Sequence, residues 1–328
     1  MRPDVSPATE RTHRVETDSR AGARPNAPRH RPPRSPEAGT IITTPGLRGS
    51  VTGAVFRLAR PLNCGMSAVG VLVGGLVAVG PARLGDAVVP FALAAGAAAS
   101  FTAGGNALND LYDRVTDSVN HPGRPIPSGA VTTRQAGVFA GVAFLVAAGL
   151  GGFASPWCFA IVASNALLLY AYESDLKARG APGNLAVAYL VGSLFLFAGF
   201  AVYRGDQGAL ARSAVLASLA FLTTVGREIV KDIEDMAGDI DRRTLPQRIG
   251  RGRAGAVASG AFLAGVGLSA IPWAFAILGL GYALVVIAAD GMFIYAALYS
   301  AARPSRSQRA AKYAMIVALV AFLAGGLP

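Results

Sequence analysis

Between residues 60 and 327 nine mostly apolar runs follow one another, separated by polar segments. Most are roughly 18–25 residues, the length an α-helix needs to cross a hydrocarbon core about 30 Å thick. No other feature constrains the fold as strongly. In lipid, each backbone N–H and C=O must find its partner inside the chain, and serial apolar runs of this length do so as helices. The runs lie near 60–80, 87–112, 135–153, 157–173, 184–203, 209–231, 254–271, 275–302 and 310–327. The eighth carries Asp290 and Gly291 mid-run, the place where a tilt or break would fall. Ser155-Pro156 and Pro272 mark tight corners between neighbours. Composition agrees: 52% of residues are hydrophobic and 15% charged, too few polar groups to cover the core of a soluble domain of this length. The expected fold class is all-α, a polytopic membrane protein with nine transmembrane helices.

Residues 1–52 have a different character. Rich in Pro, Arg, Ser and Thr, they lack apolar clusters and the apolar stretch of a signal peptide, and read as a disordered basic cytoplasmic tail. The membrane domain is expected over 53–328. Positive charge recurs in alternate loops: Arg114, Arg124 and Arg134; Lys177 and Arg179; Lys231, Arg242, Arg243, Arg248, Arg251 and Arg253; Arg303, Arg306, Arg309 and Lys312. The opposite side carries Arg83, Arg204 and Arg212. Basic loops stay cytoplasmic, so the chain is expected in the cell membrane with its N-terminus inside and, after an odd number of spans, its C-terminus outside. The net charge of +11 is thereby explained without a nucleic-acid partner, for which no basic recognition helix is present. Cys64 and Cys158 fall in or beside apolar runs, and His13, His30 and His121 are scattered, which excludes a disulfide framework and a His/Cys metal site. Gly70, Gly74, Gly75 and Gly80 suit close helix packing in lipid.

Two polar constellations interrupt this background. The first is Asn106-Ala-Leu-Asn109-Asp110-Leu-Tyr-Asp113-Arg-Val-Thr-Asp117, ending the second span. At 100° per residue, Asn106, Asp110, Asp113 and Asp117 fall within an arc of roughly 60°, with Asn109 beside them. Such a stripe of acids and amides is costly near lipid and calls for a cation. Oxygen ligands without His or Cys suit Mg²⁺, which takes one or two carboxylates together with substrate phosphate oxygens. The second constellation, Arg227-Glu-Ile-Val-Lys231-Asp232-Ile-Glu-Asp235-Met-Ala-Gly-Asp239, ends the sixth span. Here Glu228, Asp232, Asp235 and Asp239 form an acidic stripe beside the basic pair Arg227 and Lys231. Acids for a metal next to bases for phosphate oxygens make a diphosphate-binding arrangement. The bland alternative, a solvated helix end laced with i,i+4 ion pairs, explains one motif more readily than a matched pair.

These motifs resemble the UbiA superfamily of intramembrane prenyltransferases. The resemblance rests on Asn109-x-x-x-Asp113-x-x-x-Asp117 and Asp232-x-x-Asp235-x-x-x-Asp239. It extends to Arg60-Pro-Leu-Asn63, Arg124-Pro-Ile-Pro-Ser-Gly129, Gly183-Asn184 and Thr244-Leu-Pro246, and covers nearly all of 57–327. It implies nine helices around a central cavity, a cytoplasmic cap built from the loops after spans two and six, and two Mg²⁺ ions bridging a prenyl diphosphate. The implied metal ligands are Asn109, Asp110, Asp113, Asp117, Asp232, Asp235 and Asp239. Substrate contacts are implied for Asn63, Arg124, Lys177, Asn184, Arg227 and Lys231, and the reaction would depend on Asp113, Asp235, Arg227 and Lys231. One departure stands out: the family often has a Tyr four residues before the loop Lys, and here Glu173 holds that place relative to Lys177, with Tyr172 one residue further back.

The implied activity is transfer of a prenyl group from its diphosphate to a lipid-like acceptor. Arg227-Glu-Ile-x-Lys-Asp-Ile-Glu-Asp, with Asp290-Gly-Met-Phe-Ile-Tyr and Lys312-Tyr-Ala-Met315, is most similar to the subgroup that geranylgeranylates geranylgeranylglyceryl phosphate in ether-lipid synthesis. Prenylation of an aromatic quinone precursor (benzoate, naphthoate or homogentisate type) is the alternative, because such subgroups share the Asp motifs. A transporter is the remote one: its carboxylates belong at broken helices mid-membrane, whereas these lie at helix ends.

Overall fold

The computed structural model describes residues 50–80, 85–236 and 243–326. Most of the basic tail and Asp239 lie outside them. Among the described residues there is no strand. Thirteen α-helices follow one another: α1 (Val51–Ala59), α2 (Pro61–Val79), α3 (Val88–Tyr112), α4 (Arg114–Asn120), α5 (Thr133–Ala154), α6 (Pro156–Ser174), α7 (Ala181–Val202), α8 (Gln207–Asp235), α9 (Leu245–Ile249), α10 (Arg251–Ser269), α11 (Ile271–Ala274), α12 (Leu280–Tyr299) and α13 (Pro304–Gly326). The nine expected spans are α2, α3, α5, α6, α7, α8, α10, α12 and α13. The short helix α1 was not foreseen; it begins inside the segment read as tail.

Eight of these helices are long and apolar enough to cross a membrane. The ninth, α6, is 19 residues long but falls short in hydropathy because it carries Asn165 and Glu173, and both line a cavity. The polar residues that weaken the span signal are thus part of the interior. The helix α12 runs unbroken through Asp290 and Gly291, and the break expected there falls earlier, between α11 and α12. The Asp290 carboxylate is satisfied by the Ser269 hydroxyl at 2.8 Å.

Local chemistry explains the ends. Thr132 and Gln135 form a capping box that starts α5, and Ser155 caps α6, whose Pro156 occupies a position where its missing N–H costs nothing. On the side away from the acidic motifs, Arg212 donates through Nε to the Ala78 carbonyl at 3.0 Å, satisfying an orphan acceptor at the end of α2.

The helices pack as two groups that share α2, α7 and α8. One core joins Val71, Ala94, Ala97, Ala147 and Phe197, and the other joins Ile229, Val230, Phe262, Phe293 and Ala314. Small residues let the backbones approach, as van der Waals packing in lipid requires. A Cβ on Gly75 would lie 2.1 Å from the Phe91 ring, whereas Gly80 faces open space and serves instead as a positive-φ residue after α2. The close-packing expectation therefore does not hold for Gly80.

Candidate active site

The start of α2, the ends of α3, α6 and α8 and the start of α7 carry the polar residues. A cavity of about 640 Å³ opens beneath them, between α2, α3, α6 and α7. Its wall is mostly apolar, with Phe101, Ile161, Leu169, Leu194 and Phe197 among its lining. Its mouth carries Arg60, Asn63, Asn106, Asn109 and Glu173. A polar mouth on a deep apolar chamber is the shape an amphiphile with a charged head and a hydrocarbon tail would fill.

Beside the mouth, α3 ends at Tyr112 and α4 begins at Arg114, with Asp113 between them, yet the Asp117 N–H still donates to the Asp113 carbonyl at 2.8 Å. The helical stripe inferred from sequence therefore persists through the junction. Its members have different fates. Asp113 keeps 29% of its side chain exposed and receives the Lys177 ammonium at 2.8 Å on each of its two oxygens. Asn109 donates to Asp113 Oδ2 at 3.1 Å and to Glu173 Oε1 at 3.0 Å. Asp117 is buried, with one oxygen held by Arg124 Nη1 at 2.5 Å. Asn63 donates to Asn106 at 3.5 Å, and Asn106 to the Ala59 carbonyl at 2.8 Å, which fastens α1 and α2 to α3.

Asp110 departs from the expectation for the stripe. It is only 2% exposed and is capped by Arg60, with Arg124 Nη1 3.6 Å away. Two guanidiniums already match this carboxylate's charge, Arg60 in direct contact and Arg124 more distant, which sets it apart from the more exposed Asp113. Asp110 thereby ties Arg60, which lines the mouth, to Arg124, which also holds Asp117. Arg60 is held there by a backbone in the left-handed region, φ 53°, unusual for a residue with a side chain.

The second motif lies beside the mouth, on the far side of α7. Asn184 on α7 donates to Asp232 Oδ2 at 2.8 Å, while Arg227 Nη1 donates to Glu228 Oε1 at 2.6 Å and Lys231 lies 3.7 Å from Glu228. Asp235 is exposed at the end of α8. No residue of α8 lines the cavity; Asn184 links the second motif to α7, whose Leu190, Leu194 and Phe197 do line it. Those loops meet closely: the Arg243 N–H donates to the Ala178 carbonyl at 3.1 Å. Gly180, at φ 74°, passes so near that a Cβ there would stand 2.6 Å from the Arg243 carbonyl oxygen. Only glycine permits both the conformation and the approach.

The donor set fits a hard divalent cation. Asn109, Asp113 and Asp232 present oxygen ligands at or beside the mouth, and Asp117 is within the same stripe. Among the described residues no three His, Cys, Asp or Glu side chains converge into a ready-made cage. Mg²⁺ does not require one, since it takes one or two carboxylates and completes its shell with water and phosphate oxygens.

Glu173 was noted from sequence only as a departure from the family pattern, and Arg60 only as part of a motif. Both prove central to the mouth. The signal available for Glu173 was a carboxylate ending an apolar run, four residues before a lysine.

Comparison with known proteins gives the family and the fold. Residues 67–324 match the UbiA prenyltransferase family. The digeranylgeranylglyceryl phosphate synthase of Methanopyrus kandleri is 41% identical over 276 residues, covering 83% of this chain and 98% of that protein. The synthase of the same name from Halobacterium salinarum is 38% identical, covering 83% and 97%. A solved structure concerned with digeranylgeranylglyceryl phosphate synthase in membranes superposes with a TM-score of 0.74 at 29% identity, covering 84% of this chain and 99% of that one. A UbiA homolog from Archaeoglobus fulgidus bound to GPP and Mg²⁺ shares the fold, with a TM-score of 0.59 at 16% identity over 83% of this chain and 98% of that one.

Proposed function

Since this chain belongs to the UbiA prenyltransferase family, we propose that it transfers a geranylgeranyl group from its diphosphate to geranylgeranylglyceryl phosphate, forming the second ether bond of an archaeal-type lipid. The observation that carries this reading is the charged mouth on an apolar chamber: Asn109 and Glu173 line a cavity of about 640 Å³ and are bonded to Asp113 and Lys177. The names borne by relatives that match over most of their own length support the acceptor. The donor's head lies at the mouth and its prenyl chain runs down between α3, α6 and α7.

The chemistry follows from charge. Diphosphate leaves readily only when its negative charge is neutralised as the C–O bond breaks. Lys177, Arg124, Arg227 and Lys231 take its oxygens, and Asn63 and Asn184 help hold the mouth's geometry. Two Mg²⁺ ions supply Lewis-acid neutralisation when bound, one held by Asn109, Asp113 and Asp117, the other by Asp232, Asp235 and Asp239. The apolar walls exclude water from the allylic cation left behind. The acceptor's free hydroxyl forms the new C–O bond and gives up its proton, and its anionic phosphate is drawn by the arginines of the cytoplasmic end. We place the N-terminus and the loop cap on that cytoplasmic side and the C-terminus outside, in the cell membrane.

The test is Mg²⁺-dependent release of diphosphate from geranylgeranyl diphosphate in the presence of acceptor. Asp113→Ala and Asp235→Ala, folded but inactive, are the expected result. Undiminished release by both variants would sink the assignment.

A further inference from the structure

Glu173 sits where a carboxylate has no structural reason to be. Its side chain is 3% exposed. It is in the last turn of α6, where the helix dipole disfavours negative charge. Burying such a group without partners costs far more than any packing it provides. Its partners are therefore informative, and there are two: Asn109 Nδ2 donates to Oε1 at 3.0 Å, and Lys177 Nζ donates to Oε2 at 3.1 Å.

The bond to Asn109 fixes which way that amide points. The same Nδ2 also donates to Asp113 Oδ2 at 3.1 Å. Both acceptors are carboxylates, so a flipped amide would push its carbonyl against two negative charges. With both N–H bonds committed, the Asn109 carbonyl oxygen is the atom left to face the mouth, and Asn109 does line the cavity. The bond to Lys177 has a second effect. That ammonium contacts both Asp113 oxygens at 2.8 Å, the atoms a metal held by Asp113 would need. Glu173 offers the lysine an alternative counter-charge and so lowers its hold on Asp113.

We propose that Glu173 is a positioning residue for the metal site, turning the Asn109 carbonyl outward and drawing Lys177 off Asp113. It touches neither the metal nor the reacting carbon. The inference rests on the metal reading given under Proposed function.

Mn²⁺ uptake by the detergent-solubilised full chain, followed by electron paramagnetic resonance without any prenyl diphosphate, tests it apart from turnover. Wild type binds Mn²⁺, and Asp113→Ala abolishes the uptake at the first motif while leaving that at the second. Glu173→Ala weakens the first-motif uptake by about tenfold or more, as loss of an outer-shell partner does. Glu173→Gln, which keeps one acceptor for Asn109, loses less, and adding Lys177→Met to Glu173→Ala recovers part of the loss. In an Asn109→Ala background, Glu173→Ala costs several-fold less than it does alone. Wild type that takes up no Mn²⁺ would overturn the metal reading together with this inference. Binding that depends on Asp113 but is unchanged in both Glu173 variants would overturn this inference alone.

Discussion

Asp110 and Asp113 sit three residues apart on one helical stripe, yet the structure assigns them opposite phenotypes. Asp110 is 2% exposed and is held by Arg60 and, at 3.6 Å, Arg124. Removing one partner of a buried pair costs about 3–5 kcal/mol. Both arginines keep 31% of their side chains exposed and can rehydrate, so Asp110→Asn should cost less, roughly 2 kcal/mol. In a domain of a few hundred residues that lowers the melting temperature by about 4–8 °C. Asp113, 29% exposed, has little to lose in folding, and Asp113→Asn should change stability by no more than about 0.5 kcal/mol. Its turnover should nonetheless fall by about 100-fold or more, the usual effect of removing a group that stabilises developing charge. Thermal unfolding in detergent, followed by circular dichroism, and turnover well below the melting point separate the two. Asp110→Asn melting like wild type while losing as much turnover as Asp113→Asn would refute this reasoning and restore Asp110 as a ligand.

Lys177→Met removes a charge-assisted contact to the diphosphate, and the donor KM should rise about tenfold to a hundredfold; initial rates against donor concentration check this. Gly180→Ala places a Cβ 2.6 Å from the Arg243 carbonyl oxygen on a backbone with φ 74°. It should destabilise the junction of the two loops by about 1–3 kcal/mol, read as faster tryptic cleavage after Arg243. Ala98→Phe fills the cavity about 16 Å below Asn109, eleven residues along α3 at 1.5 Å each. Competition between donors should then favour geranyl over geranylgeranyl diphosphate, and an unchanged preference would place the chain elsewhere.

Much of this was legible in the residues alone. Eight spans announced themselves because a lipid-crossing helix has one length and one polarity, and Ser155-Pro156 marked its corner because its capping chemistry is local. The acidic motifs were visible because a 3-4 spacing stacks side chains on one helical face. What was hidden depends on distant partners. No spacing rule says that Arg60, fifty positions away, will neutralise Asp110. None says that Glu173 will meet Asn109 from another helix. The placing of the cavity among α2, α3, α6 and α7, away from α8, depends on how tilted helices pack, which periodicity does not record. The α6 span was readable by length, but its Asn165 and Glu173 dilute the apolar signal, and Glu173 does so because it belongs to the site.

If the charged mouth and the apolar chamber work together, their product is an ether lipid. Membranes containing the protein, given labelled geranylgeranyl diphosphate and geranylgeranylglyceryl phosphate, measure it directly by mass spectrometry of the lipid product. The expected result is Mg²⁺-dependent formation of digeranylgeranylglyceryl phosphate, absent in Asp113→Ala. Label found instead on a benzoate, naphthoate or homogentisate offered beside the glycerol phosphate would contradict it.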